Sequence, residues 1–485
     1  MHSDARTLPD GTEIEGDLCI IGAGAAGISI AKEFADTKHD VILLEAGGFE
    51  RDPETQSLYE GENTGLSYFP LSATRLRYFG GTTGHWAGWC SRLDPIDFEE
   101  RDWVPMSGWP FSLEELDPYY RRAHPLLDLG EYNYNIEYWS SQWWDGFTPL
   151  PLEDSPLGTK VFKWSAPTRF GKKYRSDILD SENITLWTHA NVTEIETPKA
   201  ESRIEGLQIR CLNGKEHSAK ARQYVLACGG LENPRLLLNS NKEKSRGIGN
   251  GNGLVGKYFM EHPHIPTGKI NFTDWPDMGY WRRGTGRPFG MISTSRKFQR
   301  KNNICNYSSH IYPKWGSLNS KIERGLNYYL GEPPEFKVST RIEQAPNEKS
   351  KVYLSEEKDK LGLFKIKLDW SLREQEYRTV KVASKMFGRE LGRLGIGRLQ
   401  LTDWVTSEDD TWPDSLKGGH HHMGTTRMSE SPEKGVVDSD CKVHAVENLY
   451  VAGSSVYPTS GVANPTLTLV ALALRISDHI KKQLS

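Results

Sequence analysis

The stretch from Asp17 to Glu45 constrains this chain more than any other. Asp17-Leu18-Cys19-Ile20-Ile21 is a short apolar run that opens directly into Gly22-Ala23-Gly24-Ala25-Ala26-Gly27. Residues 28–35 follow with helical apolar spacing, and Asp40-Val41-Ile42-Leu43-Leu44 is a second buried strand ending at Glu45. A bare GxGxxG is weak evidence. Strand, glycine turn, helix, strand and an acid eighteen residues after the third glycine together form a dinucleotide-binding fingerprint. Each part has a physical task. Gly22 lets the chain turn sharply, Gly24 lets the backbone approach a pyrophosphate, and Gly27 lets the helix pack on the strand. The helix N-terminus offers free N–H groups and a positive dipole end to the phosphates. Glu45 is placed to accept hydrogen bonds from ribose hydroxyls.

Composition narrows the class. A chain of 485 residues corresponds to roughly two to four domains. Lys and Arg number 60 against 64 Asp and Glu, a net charge of −4, so no basic field exists to hold nucleic acid. With a mean hydropathy of −0.60 and no apolar run near the roughly 20 residues a span needs, no membrane span is expected. The polar start, Met1 to Gly16, lacks the pattern of a secretory signal, which predicts a cytoplasmic protein. The six cysteines form no CxxC pair, so neither a disulfide framework nor a zinc site is expected.

Further along, Phe79-Gly80-Gly81-Thr82-Thr83-Gly84-His85-Trp86-Ala87-Gly88-Trp89 cannot be a packed strand. It reads as backbone exposed for close approach to a flat ligand, with Thr82, His85 and Trp86 as candidate contacts. Ser112 to Glu115 is a capping box opening a helix. Glu131 to Pro151 reads as loop, and Ile184 to Ile195 as one strand. Arg203 to Arg210 and Glu216 to Leu226 read as meander strands, the second running on to Cys228 before Gly229-Gly230 and a helix. From about Thr267 to Leu401, aromatic and charged residues alternate as in antiparallel strands, and Leu372 to Leu394 is one amphipathic helix. Asn448 to Ser455 is a strand ending at a turn, and Thr466 to Lys482 a closing helix.

Four segments occur in order: the fingerprint, GGTTGHWAG, ACGGLENPRLLL, and HHMGTTRM followed by LYVAGSSVYPTSGVANPTLT. Together they resemble the glucose–methanol–choline (GMC) oxidoreductases, FAD-dependent alcohol oxidases and dehydrogenases. The likeness is closer to the sugar-oxidising branch, with pyranose 2-oxidase, the bacterial glycoside 3-oxidases and 3-dehydrogenases, and the large subunits of membrane sugar dehydrogenases. The resemblance implies an α/β fold: a Rossmann-type FAD-binding domain, split in sequence, with an α+β substrate domain on an antiparallel sheet. The division expected is 1–100 and 184–266 as two parts of the FAD domain, 101–183 as a connecting, substrate-side segment, 267–410 as the substrate domain, and 411–485 as the C-terminal part of the FAD domain with the catalytic residues.

The resemblance also implies roles. His421, four residues before Thr425, takes the place of the family's general base, and Asn464 in Ala463-Asn464-Pro465 that of its partner, although Asn-Pro is also ordinary helix-capping chemistry. Val192 is placed near the adenine, and Gly453, Ser454 and Thr466 near the pyrophosphate or the ring. Some relatives attach FAD covalently to a histidine in a Thr-His-Trp stretch. Here it is Gly84-His85-Trp86, so His85 is either that link or a neighbour of the flavin edge. His262 and His264 read as local packing. His420 and His422 would share a face on a strand, but no carboxylate stands at a ligand spacing, so no metal is expected.

The expected activity is oxidation of a secondary hydroxyl of a pyranose or glycoside, with oxygen, a quinone or a separate cytochrome as acceptor. The alternatives are oxidation of a non-sugar alcohol, a flavin-containing lyase, and a non-catalytic flavoprotein.

Overall fold

In the computed structural model, residues 1–141, 149–198, 202–274, 278, 284–314, 334–408 and 411–485 are described. Two sheets carry the molecule. The first has eight strands, ordered His2–Asp4, Ile184–Thr188, Val41–Leu44, Glu13–Ile21, Glu216–Leu226, Gly206–Arg210 and Asn191–Glu196, with Leu449–Val451 also paired to Glu216–Leu226. The pairings from His2–Asp4 through Glu216–Leu226, and that of Leu449–Val451, are parallel. The last two strands of the order form an antiparallel meander. The central strands are buried on both faces, as Val41-Ile42-Leu43-Leu44 requires.

The helix Ala25–Phe34 starts at Gly24 and lies with the closing helix Pro465–Leu484 over this sheet. Close approach at its first turn depends on Gly27, where an added Cβ would meet the Gly22 carbonyl oxygen at 1.9 Å. The helix Leu113–Leu126 packs against the closing helix, with the Tyr120 hydroxyl 2.8 Å from Thr468 Oγ1. Its capping box is formed: Ser112 Oγ accepts from the Glu115 N–H, and Glu115 Oε1 from the Ser112 N–H.

The second sheet is antiparallel, in the order Gly397–Leu401, His264–Phe272, Phe336–Ile342, Tyr307–Pro313, Pro288–Thr294, Leu157–Trp164 and Trp89–Cys90. The amphipathic helix runs from Glu374 to Arg393 and contributes Val380, Ala383, Phe387 and Leu391 to the buried core. Strands Lys351–Lys358, Phe364–Asp369 and Gly61–Asn63 form a small third sheet. No described helix is long and apolar enough to cross a membrane.

Three local expectations are corrected. Ile184 to Ile195 is two strands, because His189 takes a left-handed conformation (φ 54°) and redirects the chain into the meander. The segment expected as loop from Glu131 contains the helix Ile136–Ser141, anchored by the Trp139 indole N–H donating to the Asn133 carbonyl; residues 142–148 lie outside the described residues. His420 and His422 do not sit on a strand. His420 has φ 61°, and the two rings part, His420 against Phe69 and His422 toward the Tyr68 hydroxyl.

Candidate active site

A cavity of about 560 Å³ runs from the fingerprint turn to the start of the closing helix. Gly22, Gly24, Glu45, Thr82, His85, Trp86, Val192, Gly453, Ser454 and Thr466 all line it, together with His421 and Asn464. Gly27 does not; it acts beneath the turn, where it permits the close packing described above.

One arm is built by strand ends. Glu45 leaves Val41–Leu44 and is buried, its oxygens accepting from the Ala23 and Gly47 N–H groups at 3.0 and 2.9 Å. Burial raises its pKa. The glycine-threonine run docks on the fingerprint turn through the Gly80 N–H, which donates to the Ala23 carbonyl at 2.8 Å. A short 3-10 turn, Gly81–Gly84, follows. Arg169 donates to the carbonyls of Thr83 and Trp86, and the Trp86 indole N–H donates to the Thr168 carbonyl, which fixes the His85-Trp86 pair at the cavity.

The same arm holds a buried charge network that sequence reading missed. Arg75 and Arg235 ion-pair with Glu232 at 2.6 and 3.2 Å, and Arg235 also with Asp359 at 2.7 Å. Burial opposes ionisation of Glu232, but Arg235, Arg75 and Arg77 outweigh it and hold its pKa at about 2. Arg77 Nη2 donates to Asn191 Oδ1, while its buried Nε has no partner among the described residues. An added Cβ on Gly24 would meet nothing within 4 Å. An open backbone turn at a helix N-terminus fits a pyrophosphate.

The other arm is a histidine cluster assembled from three segments. Residues 417–424 are clamped by backbone pairing with Met260 and His264, and by the Ser454 hydroxyl donating to the His422 carbonyl. Glu261 anchors this loop from inside. Its carboxylate accepts from the N–H groups of His262, Gly419 and His421 at 2.8–2.9 Å and from the Tyr68 hydroxyl. Burial pushes its pKa up to about 7 against the pull of those donors.

His421 Nδ1 lies 2.8 Å from His262 Nδ1, His262 Nε2 lies 3.2 Å from the Ser460 carbonyl oxygen, and Asn464 Nδ2 lies 3.1 Å from His421 Nε2. Asn464 is the N-cap residue of Pro465–Leu484, but its side chain makes no capping bond. It faces His421 instead. Burial carries the His262 pKa down to about 4, and burial with the neighbouring His262, His264 and Arg341 carries that of His421 well below the ordinary 6.5. Both rings are therefore neutral near pH 7.

Neutrality fixes the proton positions. A carbonyl only accepts, so His262 Nε2 carries the proton and its Nδ1 carries a lone pair. His421 Nδ1 must then donate to it, which leaves His421 Nε2 with a lone pair facing Asn464 and the cavity.

His262 is thus a correction to its expected role in local packing: it contacts a residue 159 positions away. His264, likewise expected to pack locally, lines the cavity. Trp89 and Arg341, also on the lining, were not anticipated. The one available signal was the spacing of two histidines around a proline, His262-Pro263-His264, before an alternating strand.

A family model described as GMC oxidoreductase matches residues 346–473, and one described as FAD dependent oxidoreductase matches residues 17–247. The chain thus carries a GMC oxidoreductase C-terminal domain and an FAD-dependent oxidoreductase domain. The chain is 25% identical to 2-methyl-1,2-propanediol dehydrogenase of Mycolicibacterium austroafricanum, over 97% of the chain and 96% of the relative. It is 25% identical to paromamine 6'-oxidase of Streptomyces fradiae, over 95% and 90%. A stretch of 66 residues, 13% of each chain, is 46% identical to C-glycoside 3-oxidase of Arthrobacter globiformis. Among solved structures, formate oxidase superposes with a TM-score of 0.64 at 17% identity, covering 99% of this chain and 100% of that one, which shows the fold. The cofactor is FAD, and the protein is an oxidoreductase acting on alcohol groups.

Proposed function

We propose that this GMC oxidoreductase oxidises a secondary hydroxyl of a pyranose sugar or glycoside to the keto sugar, with His421 as general base and Asn464 as its partner. The observation that carries the reading is the 3.1 Å approach of Asn464 Nδ2 to His421 Nε2 at the cavity. Two side chains 43 residues apart converge, at the expense of a helix cap that Asn464 is placed to make. The names of the C-glycoside and paromamine oxidases support a sugar. The likeness to a propanediol dehydrogenase favours a small diol as the second reading.

Alcohol oxidation removes a hydroxyl proton and a hydride from one carbon. FAD, when bound, would supply the hydride acceptor at N5. His421 Nε2, held neutral by burial and oriented by His262, takes the hydroxyl proton. Asn464 donates to the same hydroxyl oxygen and orients the carbinol C–H bond. Glu45 would hold the dinucleotide arm, and Thr82, His85 and Trp86, which line the cavity, would stand at the flavin end, with His85 either a neighbour of the flavin edge or its point of attachment.

The test is His421→Ala. Anaerobic flavin reduction slows by about 10²–10⁴-fold, the usual worth of general acid–base catalysis, while FAD stays bound. Reduction at the unaltered rate removes His421 from the base role.

A further inference from the structure

His421 leaves a strained turn. In Gly418-Gly419-His420-His421 the left-handed residue is not a glycine but His420, at φ 61°. An L-residue disfavours that conformation by about 5–30-fold. The turn is held at both ends by backbone pairing, Lys417 with His264 and Met423 with Met260, and the residues between them bulge.

Inside the bulge stands the carboxylate of Glu261, which is fully buried. Its two oxygens divide the turn between them. Oε2 accepts from the Gly419 N–H at 2.8 Å, on one side of His420, and Oε1 from the His421 N–H at 2.9 Å, on the other. Two N–H groups that flank a left-handed residue and converge on one anion form a nest. Each oxygen has a second donor, the His262 N–H at 2.9 Å on Oε2 and the Tyr68 hydroxyl on Oε1. The Glu261 N–H itself donates to Gln344 Oε1 at 2.9 Å.

The ring that follows the nest is gripped on two edges. Nδ1 of His421 lies 2.8 Å from His262 Nδ1, and Nε2 lies 3.1 Å from Asn464 Nδ2. Both contacts require the backbone to leave residue 420 in its present direction. Residues 261 and 262 thus hold the same histidine, the first by its backbone and the second by its ring.

We propose that Glu261 is a positioning residue for the base: its carboxylate clamps His420 in the left-handed conformation and so aims the His421 ring at the substrate hydroxyl. The inference rests on His421 being the base. A carboxamide in place of Glu261 has one oxygen, so it serves one side of His420 while its NH₂ opposes the N–H on the other. Opening that side frees residue 420 to leave the left-handed region, and the His421 ring leaves its two contacts. The other restraint on the turn is the His420 ring, edge-on to Phe69 with centroids 4.3 Å apart. Glycine and alanine at 420 remove that ring equally, but only glycine enters the left-handed region freely.

The experiment follows anaerobic flavin reduction of the holoenzyme by methyl glucoside, or by 1,2-propanediol where the glucoside leaves the flavin oxidised. The proteins are the native chain, Glu261→Gln, and His420→Gly and His420→Ala on each of those two backgrounds. Flavin absorbance reports that each is folded and loaded. Glu261→Gln slows reduction by at least about fivefold. On that background the glycine variant is faster than the alanine variant by about 5–30-fold. With Glu261 intact the two reduce flavin at similar rates, because the carboxylate holds either residue in place. A native rate in Glu261→Gln, or glycine no faster than alanine beside it, overturns the proposal. Should Glu261→Gln not load flavin, the comparison moves to Glu261→Asp, one methylene shorter, where equal glycine and alanine variants overturn it in the same way. His421→Ala runs alongside. A native rate there, or flavin that neither alcohol reduces, overturns the base reading and this proposal with it. A slow His421→Ala beside equal glycine and alanine variants overturns the role of Glu261 alone.

Discussion

Replacing His262 tests whether the orientation of the base is built from the inside of the protein. In His262→Leu, volume is roughly kept and the acceptor for His421 Nδ1–H is lost. A buried N–H without a partner costs about 1–3 kcal/mol. The His421 ring avoids that cost by moving its proton to Nε2, which then cannot receive the substrate's proton. At 1.36 kcal/mol per tenfold, the competent tautomer falls by about 5–150-fold. Stopped-flow reduction of the flavin under anaerobic conditions reads this directly, at saturating substrate and with the flavin spectrum confirming a loaded site. His262→Gln supplies the control. Its carboxamide oxygen accepts from His421 and its NH₂ donates to the Ser460 carbonyl, the two bonds His262 makes at 2.8 and 3.2 Å. The glutamine variant recovers most of the rate. A leucine variant that reduces flavin at the native rate, or a glutamine variant as slow as leucine, refutes the tautomer argument.

Two further outcomes follow from the same geometry. Because burial lowers the His421 pKa well below 6.5, the base stays unprotonated as pH falls, and the acid limb of the flavin-reduction rate lies below pH 6.5; a limb at or above that value contradicts the buried, neutral base. His262 shows the linked stability effect: its folded pKa of about 4 lies below the unfolded 6.5. The unfolded state takes up the proton first, so stability is full above 6.5 and falls by roughly 3 kcal/mol as pH drops to 4. Thermal melts of His262→Gln lose that part of the acid sensitivity. Gly24→Val puts a branched side chain into the open space over the fingerprint turn, so FAD content after purification drops severalfold while the secondary structure is retained; a fully loaded variant removes Gly24 from the pyrophosphate site.

What the sequence disclosed and what it hid have separate physical causes. Local rules wrote the fingerprint, because a glycine turn between buried strands has few other uses, and the same holds for the Ser112 capping box and the helix Glu374–Arg393. That His421 and Asn464 line one cavity was expected from motif context. The break at His189 was not, because a left-handed residue between two β-prone runs leaves no glycine to mark it. Neither was the role of His262, nor the convergence of Arg341 with Trp89. Those depend on contacts between segments 159 and 252 positions apart, and a single chain's periodicity carries no information about which segments become neighbours. The buried network of Arg75, Arg77, Glu232 and Arg235 was hidden for the same reason: in sequence, its charges look like solvated surface.

The most direct test of the account is an anaerobic titration of the purified holoprotein with a panel of pyranoses and glycosides, followed at the flavin absorption band. At least one neutral pyranoside bleaches the band and yields the corresponding keto sugar. A protein that holds FAD with its full spectrum, yet is bleached by small diols and by no pyranose or glycoside, contradicts the sugar reading. FAD that no alcohol of either class can reduce contradicts the proposed catalytic pair itself.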